Sequence, residues 1–171
     1  MNKIAIAVTL ASALALSACK KEAPETLPPG PGEIATPTPT PGPVTPQGPV
    51  PGTQQHFAQE MQGRDVIYFD TDKFDIDAED QAALRQQAQY LQQYPNVRAT
   101  VEGHCDERGT REYNIALGER RANAAKNYLV SLGVASNRIT TVSYGKERPV
   151  ALGSNEQAWA RNRRAVTIVL N

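Results

Sequence analysis

Cysteine is nearly absent: the 171 residues hold two, Cys19 and Cys105. So few exclude a disulfide framework, so stability must come from a packed core. Histidine is as scarce, with His56 and His104 alone. The spaced Cys/His pairs of a structural zinc site are missing, and a hydrolase relying on histidine has few groups to use. Neither sign of charge dominates, since 18 basic residues face 18 acidic ones. No global field therefore attracts nucleic acid, and Arg163-Arg164 is a weak basis for such a patch. Beyond residues 4–16 no apolar run is long, and none has the length needed to span a bilayer.

That one apolar run follows Lys3 and ends in Leu16-Ser17-Ala18-Cys19. Positive start, apolar stretch and small residues form a secretory leader over residues 1–18. The last four residues resemble a bacterial lipobox. The resemblance implies cleavage before Cys19, a diacylglyceryl group on its sulfur, and a mature chain that begins there. Loss of Lys3 would leave 17 basic residues against 18 acidic ones, still neutral overall. Lys20, where Asp would signal retention in the inner membrane, agrees with sorting to the outer membrane.

Proline is concentrated rather than scarce: eleven of the 13 lie in residues 23–52. Proline locks φ and removes backbone donors, and little in this stretch could build a core. Residues 19–52 are expected to be a lipidated cysteine and a disordered tether, able to reach roughly 100 Å at ~3.1 Å per residue. A PxxP ligand is the competing reading; the spacing is irregular and flanking arginines are missing.

The folded domain is expected over residues 53–171, with a short lead-in helix over 54–62. Val66-Ile67-Tyr68-Phe69 reads as a strand by its β-branched and aromatic content. Asp77 is a candidate N-cap, Leu84, Ala88 and Leu91 recur at helical spacing, and Pro95 closes that helix. Residues 98–103 alternate, with Ala99 and Val101 on one face and Thr100 and Glu102 on the other. A second long helix is expected over 111–132, with Leu117, Ala125, Leu129 and Leu132 as its buried stripe and Gly133 at its C-terminal cap. Strands follow over 138–144 and 165–170, with a helical turn over 155–161 in which Trp159 packs inward. This order predicts an α/β fold of two layers, a four-stranded sheet with helices on one face.

Polar residues crowd the end of a strand at Gly103-His104-Cys105-Asp106-Glu107-Arg108-Gly109-Thr110, where α/β folds commonly place ligands. Arg120-Arg121 and Asn162-Arg163-Arg164 lie elsewhere along the chain. Carboxylate in one segment and guanidinium in others can grip a zwitterion, the acid taking an ammonium and the arginine fork a carboxylate. Gly103, His104, Asp106, Asn114, Leu117, Arg121, Ala122, Asn162, Arg163 and Arg164 together resemble the motifs of the OmpA-like peptidoglycan-binding family. The resemblance spans residues 66–170 and implies a mixed-sheet OmpA-like sandwich. It also implies a site for the diaminopimelate of peptidoglycan stem peptides. By that resemblance Asp106 accepts from the ligand ammonium and Arg121 holds its carboxylate. Phe69, Asp70 and Thr71 form a wall with backbone donors, Asn114 and Leu117 line the helix side, and Arg163 and Arg164 stand at the rim. Cys105 departs from the alanine or threonine usual there. Its side chain is expected to point away from its neighbours.

Several plainer readings accompany these. Asp106 and Arg121 could form a structural ion pair, and His104 a packed turn residue. His104, Cys105 and Asp106 are consecutive, so one backbone cannot easily aim all three at a metal ion. No cofactor is implied. The reading as a whole is a non-catalytic outer-membrane lipoprotein that binds peptidoglycan. The resemblance also implies docking to the periplasmic β-propeller protein TolB, in a system that constricts the outer membrane during division. Its rivals are a wall-binding lipoprotein outside that system and, more remotely, a cell-wall amidase or peptidase.

Overall fold

The computed structural model describes residues 48–170; the expected leader, Cys19 and most of the proline-rich segment lie outside the described residues. Helix α1 (Gln54–Met61) leads into strand β1 (Val66–Tyr68) and helix α2 (Ala78–Gln93). Strand β2 (Arg98–His104) and helix α3 (Arg111–Ser131) follow. Strand β3 (Ile139–Gly145), helix α4 (Glu156–Asn162) and strand β4 (Arg164–Leu170) complete the domain.

The helix starts follow from side chains that satisfy free backbone donors. Thr53, Asp77, Thr110 and Asn155 each accept from the amide three residues on. Arg138 closes the other end of α2. Its guanidinium donates to the carbonyls of Leu91, Tyr94 and Val97, where a cation suits the helix dipole. The chain does not become independent of the domain at Gly52. That glycine is buried against Val97, and Thr53 bonds back to the Val50 carbonyl.

The sheet order is β1-β4-β2-β3. β2 and β3 run parallel across the α3 crossover, while β4 is antiparallel to both β1 and β2. Ala99 and Val101 of β2, Ile139 of β3 and Val169 of β4 join Leu84, Leu91, Ala125 and Leu129 in one core. Leu132, expected in the α3 stripe, is only partly buried at its edge. In β4 the core-facing set is Ala165, Thr167 and Val169, leaving the apolar Val166 and Ile168 half-buried and Leu170 exposed on the far face. Thr167 is accommodated because its hydroxyl donates to the wholly buried Gln87 at 2.7 Å, and that amide in turn donates to the Arg64 carbonyl.

The backbones of α3 and β2 meet at a pair of glycines. A Cβ on Gly103 would collide with the Gly118 carbonyl, and one on Gly118 with Ser143 Oγ. This contact sets α3 low on the sheet and brings its first two turns beside the end of β2. Residues 104–110 and the α3 side chains thereby reach one place.

Candidate functional site: a charged pocket at the end of β2

The pocket, of about 270 Å³, is lined by Thr71 and Asp72 from the loop after β1 and by Cys105, Asp106, Arg108 and Gly109 from the loop after β2. Tyr113, Asn114, Leu117 and Arg121 come from α3, and Arg163 from the C-cap of α4, just before β4. Five of these residues carry formal charge, Asp72 and Asp106 against Arg108, Arg121 and Arg163. Such a lining suits a ligand bearing both signs.

Asp106 is buried in this lining. Oδ1 accepts from the backbone amide and Nε of Arg108, at 3.1 and 3.0 Å. Oδ2 accepts from Arg108 Nη2 at 2.7 Å and Arg163 Nη1 at 3.5 Å. Burial pushes the carboxyl up, but the Arg108 side-chain and backbone bonds, its charge and the Arg163 bond together hold it below the usual range. Asp106 is therefore an anion at neutral pH. Arg108 also donates to Thr71 Oγ1 and lies 4.2 Å over the Trp159 ring, whose Nε1 donates to Glu107.

Arg121 is completely buried. It donates to the carbonyls of Lys73 (2.9 Å), His104 (2.9 Å) and Asp70 (3.0 Å), and reaches Cys105 Sγ at 3.4 Å. A guanidinium has five N–H donors, so little remains for a ligand unless one of these bonds opens. Arg121 also packs 5.1 Å from the centre of the Phe69 ring. Its role in this geometry is to tie the loop after β1 to the end of β2. Asp106 and Arg121 line the same pocket, yet the ion pairs of Asp106 are with Arg108 and Arg163.

Several residues differ from their expected placement. Phe69 and Asp70 offer acceptors where donors were expected: the Phe69 carbonyl takes Arg163 Nε, and the Asp70 carbonyl takes Arg121. Both line the adjoining cavity, and only Thr71 of the three lines the charged pocket. Arg163 is buried rather than at the rim, bridging Asp106 and Glu156. Arg164 is absent from the pocket lining; it is buried where β4 begins and donates to the Asn162 and Arg148 carbonyls. Arg163 caps α4 and is held by the Phe69 carbonyl, Asp106 and Glu156, whereas Arg164 opens β4 and is held by other carbonyls. Asn114 does border the pocket, but its amide closes the turn by donating to the Arg108 and Thr110 carbonyls.

Cys105 lines the pocket rather than turning from it, because the β2–β3 register shifts between Gly103 and His104 and the strand pattern stops. Its thiol donates to the Asn114 carbonyl, and burial pushes its pKa up. Trp159 is half-buried beneath Arg108 instead of in the core. Arg108, Asp72 and Tyr113 were not anticipated as lining residues. Tyr113 donates to Asp72 at 3.2 Å, and only Arg108 had a signal, its place two residues after Asp106. No group of three potential metal ligands occurs among the described residues.

The OmpA family profile matches residues 68–163, which hold Asp106, Arg121 and Arg163. The chain is 48% identical over 168 residues to the peptidoglycan-associated lipoprotein of Agrobacterium fabrum, covering 98% of this chain and 88% of that one. The corresponding protein of Rhizobium meliloti is 49% identical with the same coverage. The crystal structure of the peptidoglycan-associated lipoprotein from Burkholderia pseudomallei superposes with a TM-score of 0.60 at 47% identity, covering 61% of this chain and 89% of that one. The fold, the motif-bearing pocket and these likenesses agree: the chain belongs to the OmpA family and, within it, to the peptidoglycan-associated lipoproteins.

Proposed function

We propose that this protein binds peptidoglycan non-covalently through the diaminopimelate of its stem peptides. The carrying observation is a small pocket in which the buried anion Asp106 is flanked by Arg108, Arg121 and Arg163. Diaminopimelate ends in an ammonium and a carboxylate on one carbon, so it needs both signs within one small space. Asp106 supplies the acceptor, and the arginine edges supply donors for the carboxylate. Tyr113 and Leu117 contact the aliphatic stem. The role is binding rather than catalysis: burial keeps the Cys105 thiol protonated, and burial holds the neighbouring His104 neutral.

In this reading Cys19 carries lipid, the proline-rich residues after it are the tether, and the folded domain, which takes in Gly52, binds the wall. Lipid holds the chain in the outer membrane at its periplasmic face. At ~0.8 kcal/mol per buried methylene, two or more acyl chains make that end effectively permanent, so the wall end can be weak and reversible. The tether raises the local concentration of wall sites. Docking to TolB would place this anchoring in the Tol system, which acts in envelope integrity and cell division.

Sedimentation with purified sacculi tests the site: Asp106→Asn is expected to weaken binding about ten-fold, a loss of ~1.4 kcal/mol. Wild-type sedimentation by that variant overturns the site. Membrane fractionation tests the anchor, with Cys19→Ser expected in precursor or soluble form. Crosslinking in envelopes separates a Tol partner, by recovery of TolB, from a wall-binding lipoprotein outside that system.

A further inference from the structure

A second cavity is larger than the one that holds Asp106. It has a volume of about 490 Å³ and lies between the end of β1, the loop that follows it and α4. Arg163 lines both cavities. Tied to the Phe69 carbonyl, Asp106 and Glu156, that side chain is a fixed partition. Successive residues of one loop divide between the two spaces, Asp70 lining the larger and Thr71 and Asp72 the smaller. A ligand held at Asp106 and continuing past Arg163 therefore enters the larger cavity.

The lining there is chemically different. Tyr68 is half exposed, and Ile76 and Ala160 add apolar surface. Carboxylates and cations balance at three each: Asp70, Asp75 and Asp77 against Lys73, Arg161 and Arg163. Asp70 and Lys73 neutralise one another at 3.0 Å. An aromatic surface flanked by balanced hydrogen-bonding groups suits a neutral ligand rich in hydroxyl and amide groups. We infer that this cavity binds an amino-sugar residue of the glycan strand whose stem peptide occupies the smaller pocket. The C–H face of the pyranose lies on Tyr68, and its hydroxyl and acetamido groups bond with Asp75 and Arg161. This inference rests on the reading of the smaller pocket as the stem-peptide site.

Calorimetric titration of the full chain decides it with three probes: a diaminopimelate-containing tripeptide, the same peptide on its N-acetylglucosamine–N-acetylmuramic acid disaccharide, and the disaccharide alone. The sugar-bearing peptide should bind about five-fold tighter than the bare peptide, the worth of one net hydrogen bond or a little more. Tyr68→Ala and Asp75→Asn should each abolish that preference and leave bare-peptide affinity unchanged. Asp75→Asn lies in an exposed loop, so it keeps the test open if Tyr68→Ala disturbs β1. Equal wild-type affinity for the two peptides overturns the inference, as does equal weakening of both in the variants. If the bare peptide fails to bind while the disaccharide binds in a Tyr68-dependent way, the stem-peptide reading falls and the sugar site stands.

Discussion

Arg108 lays two donors of its guanidinium on the two oxygens of Asp106, Nε on Oδ1 at 3.0 Å and Nη2 on Oδ2 at 2.7 Å. With the Arg108 amide and Arg163 also bonded there, the carboxylate has four donors around it. A ligand ammonium must displace or share one of them. The fork of Arg108 is the mobile partner, since its side chain is 39% exposed whereas that of Arg163 is 7% exposed.

Arg108 thus sets the acid limit of binding. Its bonds and charge oppose the effect of burial and keep Asp106 ionised to lower pH. Arg108→Gln removes the charge, so the Asp106 pKa should rise. Binding that needs the carboxylate is lost as pH falls through that value, and the loss should therefore begin at higher pH in the variant. Sacculus sedimentation across an acid series checks this; an unchanged midpoint separates Asp106 from the binding step.

Arg121 and Asp106 should respond differently to substitution. Arg121→Lys keeps the charge but cannot reproduce a planar fork on the Asp70, Lys73 and His104 carbonyls. Each buried group left unpaired costs about 1–3 kcal/mol, so a stability loss of roughly 2–4 kcal/mol is expected together with weaker wall binding. Asp106→Asn should lose wall binding with a far smaller fall in melting temperature. Denaturant titration of both variants beside sedimentation separates these effects. A stable Arg121→Lys protein would show that its carbonyl bonds do not hold the loop.

His104 gives stability a pH dependence. It is 2% exposed, stacks on Tyr144, and has no hydrogen-bond partner for either ring nitrogen among the described residues. Burial first, and then the charges of Arg164 and Arg148, push its pKa down to about 4 from 6.5. The Glu102 carboxylate at 3.6 Å would favour a proton there, yet the opposing influences prevail. The unfolded chain thus binds a proton that the folded one refuses between these values. The stability contribution is complete above pH 6.5 and is lost as pH falls towards 4, amounting to about 3 kcal/mol. In His104→Phe, which keeps a ring on Tyr144, that slope should disappear. Chemical melts of both proteins between pH 4 and 7 measure the difference, and parallel profiles would refute it.

Gly103 is required by backbone approach rather than by a turn. Its substitution by alanine forces a methyl into the Gly118 carbonyl, and α3 must move off β2. A loss of about 3 kcal/mol or more is expected, at the upper end of overpacking effects. Calorimetric melting of Gly103→Ala checks it, and a wild-type melting temperature would contradict the contact.

The elements were legible because their causes are local. Asp77 caps α2, the alternation of residues 98–103 makes a strand, and the apolar spacing of Leu117, Ala125 and Leu129 makes one face of α3. The motif order, from Gly103 to Arg164, also sufficed to indicate the family. Which face of β4 meets the helices was not legible, because both faces carry apolar side chains. Thr167 turns inward because distant Gln87 is there to accept its hydroxyl hydrogen. The separation of Arg163 from Arg164, the turn of Cys105 into the pocket, and the enclosure of Arg121 by three carbonyls depend likewise on remote partners. Sequence by itself determined which charges the domain carries and on which elements they lie. Only tertiary structure decided which arginines are consumed in holding the loops and which remain at the pocket, because the bonds of Arg121 to Lys73 and Asp70 and of Arg163 to Phe69 join segments far apart in the chain.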